Sequence, residues 1–448
     1  MEVMQQVSVR LQNIQGEVLS PLDISNIAWS FGNVGYQDVD CMSSKSKQSS
    51  LGHCEDSIQG YNTGFKRAGR DFESRMGDGH HSSNLFDKAK KGLLHPSSQL
   101  SRYSPQSISN IVWALAKCNE INDDILQMFS DHVMKVGLSS FKVKDVCLLI
   151  HGYSNSNVGY ELFEALVPWL QQIGLQQLTE DQITSFSWVL ANRLRVRQVP
   201  NTGTKQLSQN SRYSHSSLDP LDESFGQHKE DIAELQLMML IRTWVLSNPL
   251  KGFRSKDLSL LVWSFAVSFP MEKLILFPVN ECLRSQDIST FSTLSLVNIA
   301  WAYAHILKGR DEYFVDTMKG ISQEIERRGV HNIPSHQLSS FAWSCCKLGL
   351  RDERLFQDIA CLLDAGFLQK LTNHSLISLL WALGITDVMK HIQLTIFEQE
   401  ILKRQVRSFN AIELNTAALA FSRTRYQGRI WEELDAEAIR RSRGKKGK

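Results

Sequence analysis

No stretch of about 18 uncharged apolar residues occurs in the 448-residue chain, which leaves no candidate for a helix that crosses a bilayer. The opening MEVMQQVSVRLQNIQGEVLS lacks the apolar centre of a secretory signal and the Arg-rich, acid-poor look of a transit peptide. Charge of one sign is not in excess either. Against 47 Asp and Glu stand 49 Lys and Arg, a formal net charge of +2, so attraction to nucleic acid or membrane must come from a local patch. Eight cysteines form no CxxC pair. Cys118, Cys147, Cys345 and Cys346 fall within or beside apolar helical patterns and read as buried, reduced thiols. Cys41, Cys54 and the GHH at 79–81 match no zinc-ligand spacing. P-loop, GxGxxG, HExxH and GxSxG motifs are all absent, and the 13 histidines are scattered. The chain reads as no enzyme, with no metal, cofactor, membrane or small-molecule substrate expected.

What the chain does have is one phrase written many times. DISNIAWSFGNVG, starting at Asp23, returns as SISNIVWALAKCN around Trp113, QITSFSWVLANRL around Trp188 and DLSLLVWSFAVSF around Trp263. It recurs around Trp301, Trp343 and Trp381, at spacings of 38, 42 and 38 from Trp263. The same pattern, with the Trp replaced, surrounds His151 and Leu419, which makes nine copies. An amphipathic stretch follows each phrase, such as DDILQMFSDHVMKV or DERLFQDIACLLDAG. Its apolar residues fall at i, i+3, i+4 and i+7, with no alternating β pattern in competition. Ser20-Pro21, Ser104-Pro105 and Pro334-Ser335 stand about two turns before their Trp as helix starts. A helical hairpin of about 38 residues cannot bury its apolar face alone, so stacking on neighbours is required.

The expected fold is therefore all-α: a right-handed α-solenoid of about nine hairpins, helix A carrying the phrase and helix B following it. The repeats occupy 20–436, after an N-terminal segment 1–19 and before a basic tail 437–448. Two Ser-, Gly- and charge-rich insertions, about 40–82 and 195–230, read as disordered loops between helices A and B of their own repeats.

Numbered from its Trp, helix A is apolar at −5, −2, −1 and +2, as in Ile24, Ile27, Ala28 and Phe31 or Leu338, Phe341, Ala342 and Cys345. The Trp, flanked by apolar residues, reads as core. The remaining positions, −6, −3, +1 and +4, form one narrow polar stripe. Position −6 holds Asp23, Ser107, Gln182, Ser295, Gln337 and Ser375, with Asp145, Asp257 and Glu413 in the other copies. Position −3 holds Asn26, Asn110, Ser185, Asn298, Ser340, Ser378 and Thr416. Position +1 is small, as in Ser30, Ala114, Gly152, Ser264 and Ala302. Position +4 holds Asn33, Lys117, Asn192, His305, Lys347 and Arg423. A packing account is open for every one of these: small residues let helices approach, and −6 residues cap the first turn. The functional account lines the stripes up on a concave surface, where −6 and −3 meet base edges and +4 meets phosphate. His151, standing where a Trp is usual, reads as a buried, hydrogen-bonded residue.

The phrase [DS]-[LI]-S-x-[LI]-x-W-[AS]-x-A at about 38 residues resembles the octotricopeptide and heptatricopeptide repeats of algal and protist organelle proteins. It is also similar to the helical region of FAST-kinase-domain proteins and to repeat subunits of the trypanosome RNA-editing substrate-binding complex. The resemblance runs from about Leu22 to Arg425. It implies a protein of the mitochondrial matrix or plastid that acts on single-stranded organellar RNA, in stability, processing, rRNA maturation or editing, beside other RNA-processing proteins. Many such proteins end in a RAP domain. The residues here after the last phrase, RRSRGKKGK, do not resemble one, and the resemblance therefore implies no cleavage. Arg440, Arg441, Arg443, Lys445, Lys446 and Lys448 would contact phosphate without reading sequence, and Arg327, Arg328 and the LKRQVR at 402–407 would extend that track. A scaffold of armadillo or HEAT type, holding a protein partner, is the competing reading. The near-neutral charge and the acidic residues Asp23, Asp145, Asp257 and Glu413 favour it.

Overall fold

The structure, a computed structural model, describes residues 25–26, 100–118, 121–197 and 232–446. Seventeen α-helices joined by short 3-10 turns account for most of these residues, and there is no strand among them. They fall into two compact units. The first contains α1 (Pro105–Lys117), α2 (Asp123–Val136), α3 (Val143–Gly152), α4 (Tyr160–Ile173), α5 (Glu180–Arg197) and α6 (Ile232–Ser247) as far as Trp244. The second, from Val245, opens with α7 (Ser255–Ser268), α8 (Leu276–Arg284), α9 (Thr293–Leu307), α10 (Glu312–Arg328) and α11 (Ser335–Lys347). It continues with α12 (Glu353–Cys361), α13 (Ala365–Gln369), α14 (Asn373–Thr386), α15 (His391–Lys403), α16 (Ala411–Arg423) and α17 (Ile430–Lys446).

Each described phrase is a helix: α1, α3 and α5 in the first unit, and α7, α9, α11, α14 and α16 in the second. Within each unit these A helices pack one on the next, and the helices between them form B partners, an arrangement compatible with an α-solenoid. The apolar positions behave as the pattern requires. Ile108, Ile111, Val112 and Leu115 are buried in α1, as are Leu338, Phe341, Ala342 and Cys345 in α11. Cys118, Cys147, Cys282, Cys345 and Cys346 are buried free thiols, and burial pushes those of Cys147 and Cys346 up to about 12.

The A helices begin in a common way. In α3, α5, α9, α11 and α16 a 3-10 turn leads to a buried apolar residue and then a cap residue, and in most A helices the third helical residue pairs with the cap. Ser104, Ser292 and Thr372 accept from the backbone N–H of Ser107 (3.1 Å), Ser295 (3.0 Å) and Ser375 (3.1 Å). Asp145, Gln182 and Glu413 accept in return from the N–H of Lys142 (3.3 Å), Thr179 (3.0 Å) and Asn410 (2.8 Å). Such reciprocal bonds satisfy amides that a helix start otherwise leaves orphaned.

In the second unit, the ends of B helices reach back to the same turn. Gln286, Arg404 and Arg441 donate to the carbonyls of Phe253 (3.0 Å), Leu371 (2.7 Å) and Phe409 (2.6 Å). Arg328 donates to Ser289 O and Thr293 Oγ1, both at 3.1 Å. Each arginine is aimed by a carboxylate four residues earlier: Glu324, Glu400 and Glu437, at 2.7, 2.7 and 2.6 Å. Arg327 and Arg440 pair with the same Glu324 and Glu437. The expected positive track through 327–328, 402–407 and 440–441 is therefore largely consumed in internal ion pairs and backbone clamps.

In the first unit an arginine on an A helix clamps a different loop, the one between α3 and α4. Arg193 of α5 is wholly buried and pairs with the equally buried Glu234 of α6 at 2.8 Å. Its Nη1 donates to the carbonyls of Tyr153 (3.2 Å), Ser156 (2.8 Å) and Val158 (3.0 Å), and its guanidinium lies 3.9 Å from the Phe163 ring centroid. The pair joins the helices on either side of 198–231, as expected if α5 and α6 are helices A and B of one repeat.

Three expected boundaries shift. Helix α5 continues to Arg197, so residues 195–197 are helical rather than part of an insertion. DERLFQDIACLLDAG is split into α12 and α13 because Asp364 accepts from Phe367 N (2.6 Å) and starts a new helix. The residues at 437–446 are not a tail but the last turns of α17. The first phrase, apart from the helical Ser25 and Asn26, lies outside the described residues, as do the candidate zinc ligands and the 40–82 insertion.

Replacing Arg193 with Met should cost about 3–5 kcal/mol in urea unfolding, because it leaves the Glu234 carboxylate buried beside an apolar chain. R193M/E234L should recover most of that loss. The two arginines hold Glu324 at about 2 against an ordinary 4.5, so its contribution is complete above about pH 5 and lost as pH falls toward 2. Melting temperatures of the parent and E324Q, separated at pH 6, should converge near pH 2.

Candidate nucleic-acid interface on the A helices

The polar stripe read from the sequence divides into two kinds of position. Position −6 is the third helical residue, the capping position. Ser107, Ser295, Gln337, Asp145, Asp257 and Glu413 are buried, Gln182 and Ser375 are half-buried, and most are bonded to their caps. These groups face the start of their own helix and are not presented for a ligand. Position +1 is buried in every described copy. A methyl on Gly152 would come within 2.3 Å of Val112 Cγ1 and 3.3 Å of Val112 O on the preceding A helix. The small +1 residues therefore admit the next helix and not a ligand.

Position −3 is different. Asn110, Ser185, Asn298, Ser340, Ser378 and Thr416 are all half-buried, and Asn26 is exposed. At +4, Lys347 and Arg423 are exposed and Lys117 and His305 are half-buried. Asn192 is buried, donating to Trp188 O (2.9 Å) and accepting from Arg195 (3.0 Å), so it drops out of the stripe. Asp23, Asn33 and Lys448 lie outside the described residues, and Arg443, Lys445 and Lys446 fall in the final turns of α17.

The Trp, expected in the core, is buried there at Trp263 and Trp301 and comes to the edge of this same face in the other described copies. Trp113, Trp188, Trp343 and Trp381 are half-buried, and Trp263 and Trp301 keep 7% and 8% exposure. In the last copy, Leu419 is 66% exposed. The outward stripe is thus −7, −3, 0 and +4 rather than −6, −3, +1 and +4, a turn of about 50° at 100° per residue. The new members at −7 include Gln106, Lys144, Lys256, His336 and His374. Burial lowers the His374 imidazole below its ordinary value.

Rings at position 0 meet between two pairs of neighbouring A helices, one pair in each unit. His151 lies 5.2 Å from Trp188 between ring centroids, which places it in the aromatic row and not in a sealed core. Trp263 stacks on Trp301 at 6.3 Å and 30°. His305 at +4 lies 3.7 Å from Trp301 and bridges to Trp343 at 5.0 Å, and Lys347 Nζ stands 5.9 Å from the Trp343 ring. The result is two short runs of rings, edged mostly by amides and hydroxyls at −3 and by the cations Lys144 and Lys256 at −7 and Lys117, Lys347 and Arg423 at +4, with Gln106 and Asp181 also at −7. Apolar periodicity alone could not reveal this, because a half-buried Trp and a core Trp leave the same mark. The signal that could have is the recurrence of a ring at one register, with His standing in for it.

Among the described residues no helix is long and apolar enough to cross a membrane, and no group of three His, Cys, Asp or Glu could hold a metal ion. Neither the family models nor the curated proteins compared with this chain match it. Gly152→Ala should lower stability by about 1–3 kcal/mol through overpacking against Val112, read as a fall in melting temperature.

Proposed function

We propose that the chain is a non-catalytic, single-stranded RNA-binding protein of organellar RNA metabolism, a right-handed α-solenoid of about nine repeats of the octotricopeptide type. The observation that carries the reading is the recurrence of a ring at one register of the A helices, in contact at His151–Trp188 and along Trp263–Trp301–His305–Trp343, with half-buried Trp113, Trp188, Trp343 and Trp381 beside hydrogen-bonding and cationic side chains. Unpaired bases stack on such rings whatever their sequence, at about 1–3 kcal/mol each, while lysines and arginines at the edges meet phosphate. Duplexes, whose bases are already stacked, gain nothing from it. The mitochondrial matrix or plastid and the partnership with other RNA-processing proteins belong to the same proposal and rest on the repeat phrase.

The scaffold reading drew on the acidic residues at −6. Asp145, Asp257 and Glu413 are buried at helix starts, so that support falls away. The exposed Ile412 and Leu419 of the last described A helix are the feature a protein partner would use.

Binding of a random single-stranded RNA pool, with double-stranded DNA as control and salt varied, tests the proposal. Trp343→Ala should weaken RNA binding by about 5- to 100-fold, the loss of one stacked base. N110A/N298A should weaken it without unfolding the chain. Ser107→Ala and Glu413→Ala, which lose side-chain bonds to Ser104 Oγ and the Asn410 N–H, should lower stability and leave affinity alone. Unchanged affinity in the Trp343 and Asn variants would sink the reading.

A further inference from the structure

A second feature stands apart from the aromatic row. Between the end of α15, the 3-10 turn Val406–Ser408 and helix α17 lies an open cleft of about 500 Å³. Three guanidiniums line it, those of Arg407, Arg429 and Arg440, against two carboxylates, Glu433 and Glu437. Glu437 is committed to a two-pronged pair with Arg440 (2.6 and 2.7 Å) and to Arg441. Glu433 reaches Arg429 only at 3.5 Å. Among the described residues no carboxylate pairs with Arg407; its Nε donates to the side-chain amide of Gln405 at 2.8 Å. Cationic capacity therefore exceeds anionic at the mouth of the cleft, with Leu402, Val406 and Ala436 as its apolar wall.

The backbone supplies a further, separate argument. Before the corresponding turns the chain places Gly137, Gly174 and Gly329, at φ/ψ of 87/138, 80/134 and 80/119. Gln405 adopts the same conformation, 65/121, which glycine enters freely and a residue with a Cβ enters at a cost of about 1–3 kcal/mol. Glycine would satisfy the turn. What glutamine adds is the amide that holds Arg407 beside the cleft.

We infer that this cleft binds a phosphate monoester, with Arg407 and Arg429 gripping the dianion, Gln405 positioning Arg407, and the apolar wall taking the organic group. A free mononucleotide and the 5′ end of an RNA carry that same chemistry. Guanidinium forks match phosphate oxygens, and each charge-assisted bond contributes more than a neutral one.

Calorimetric titration of the full chain with adenosine 5′-monophosphate, adenosine and inorganic phosphate is the test. The monophosphate should saturate one site and adenosine should not. R407Q should weaken binding about tenfold or more, the loss of a hydrogen bond to a charged group. Q405G should raise the melting temperature and yet weaken binding, a combination that a merely structural glutamine would not produce. E433Q should tighten binding. A decanucleotide of uridine with and without a 5′ phosphate then separates the sources. Tighter binding of the phosphorylated form, lost in R407Q but kept in W343A, assigns the cleft to RNA ends; an equal response of both forms assigns it to free nucleotides. Monophosphate binding no better than adenosine, or unaffected by R407Q, would overturn the inference. Neither result depends on whether the aromatic row binds RNA.

Discussion

Everything in each unit depends on how closely one A helix can approach the next. The contact needs a glycine or another small residue on at least one side: Gly152 against Val112, and Gly384 3.4 Å from Ala420 O as measured from an added Cβ. Hydrogen bonds to the backbone cross the same seam. Ser339 donates to Ser375 O at 2.6 Å and Cys346 to Ala382 O at 3.3 Å. Packing this tight fixes the rotation of every A helix about its axis, and that rotation decides which residues reach the surface. The Trp comes to the edge of the core because the seam claims the positions beside it.

The same constraint explains what could and could not be read from the residues. The helices, their order and their pairing are legible because Ile, Leu, Val and Phe at −5, −2 and +2 repeat with the helical period. A polar stripe on helix A is legible for the same reason. Its angular position is not, since Ser107 and Glu413 are polar for a reason internal to the helix start, and Gly152 and Ala302 are small for a reason internal to the seam. Polar, small and ligand-facing look alike in one dimension. The bonds of the first turn tell them apart. Asn298, Ser340, Lys347 and Arg423 stay on the outward face, whereas Ser107, Ser295 and Asn192 do not.

Charge shows a parallel division. Basic pairs near the ends of B helices, read along the chain, suggest a continuous positive surface. In space each is met by a carboxylate one turn earlier, and its remaining donors go to carbonyls of the turn that starts the same repeat. The recurring E-x-x-[KR]-R is a device for tying helix B to the entrance of helix A. The positive charge of Lys347 and Arg407 is not spent in this way, and it stands beside a ring and a cleft.

The stacked indoles have one more consequence. Trp263 and Trp301, with ring centroids 6.3 Å apart at 30°, are close enough for their excited states to mix. Light absorbed by one is shared with its neighbour, and His305 lies against the next ring in the series. The protein thus contains a chromophore larger than any one residue, whose circular dichroism and emission depend on the angle between successive helices. A flexing of the stack too small to change any contact would alter its spectrum, so the molecule reports its own curvature without a label.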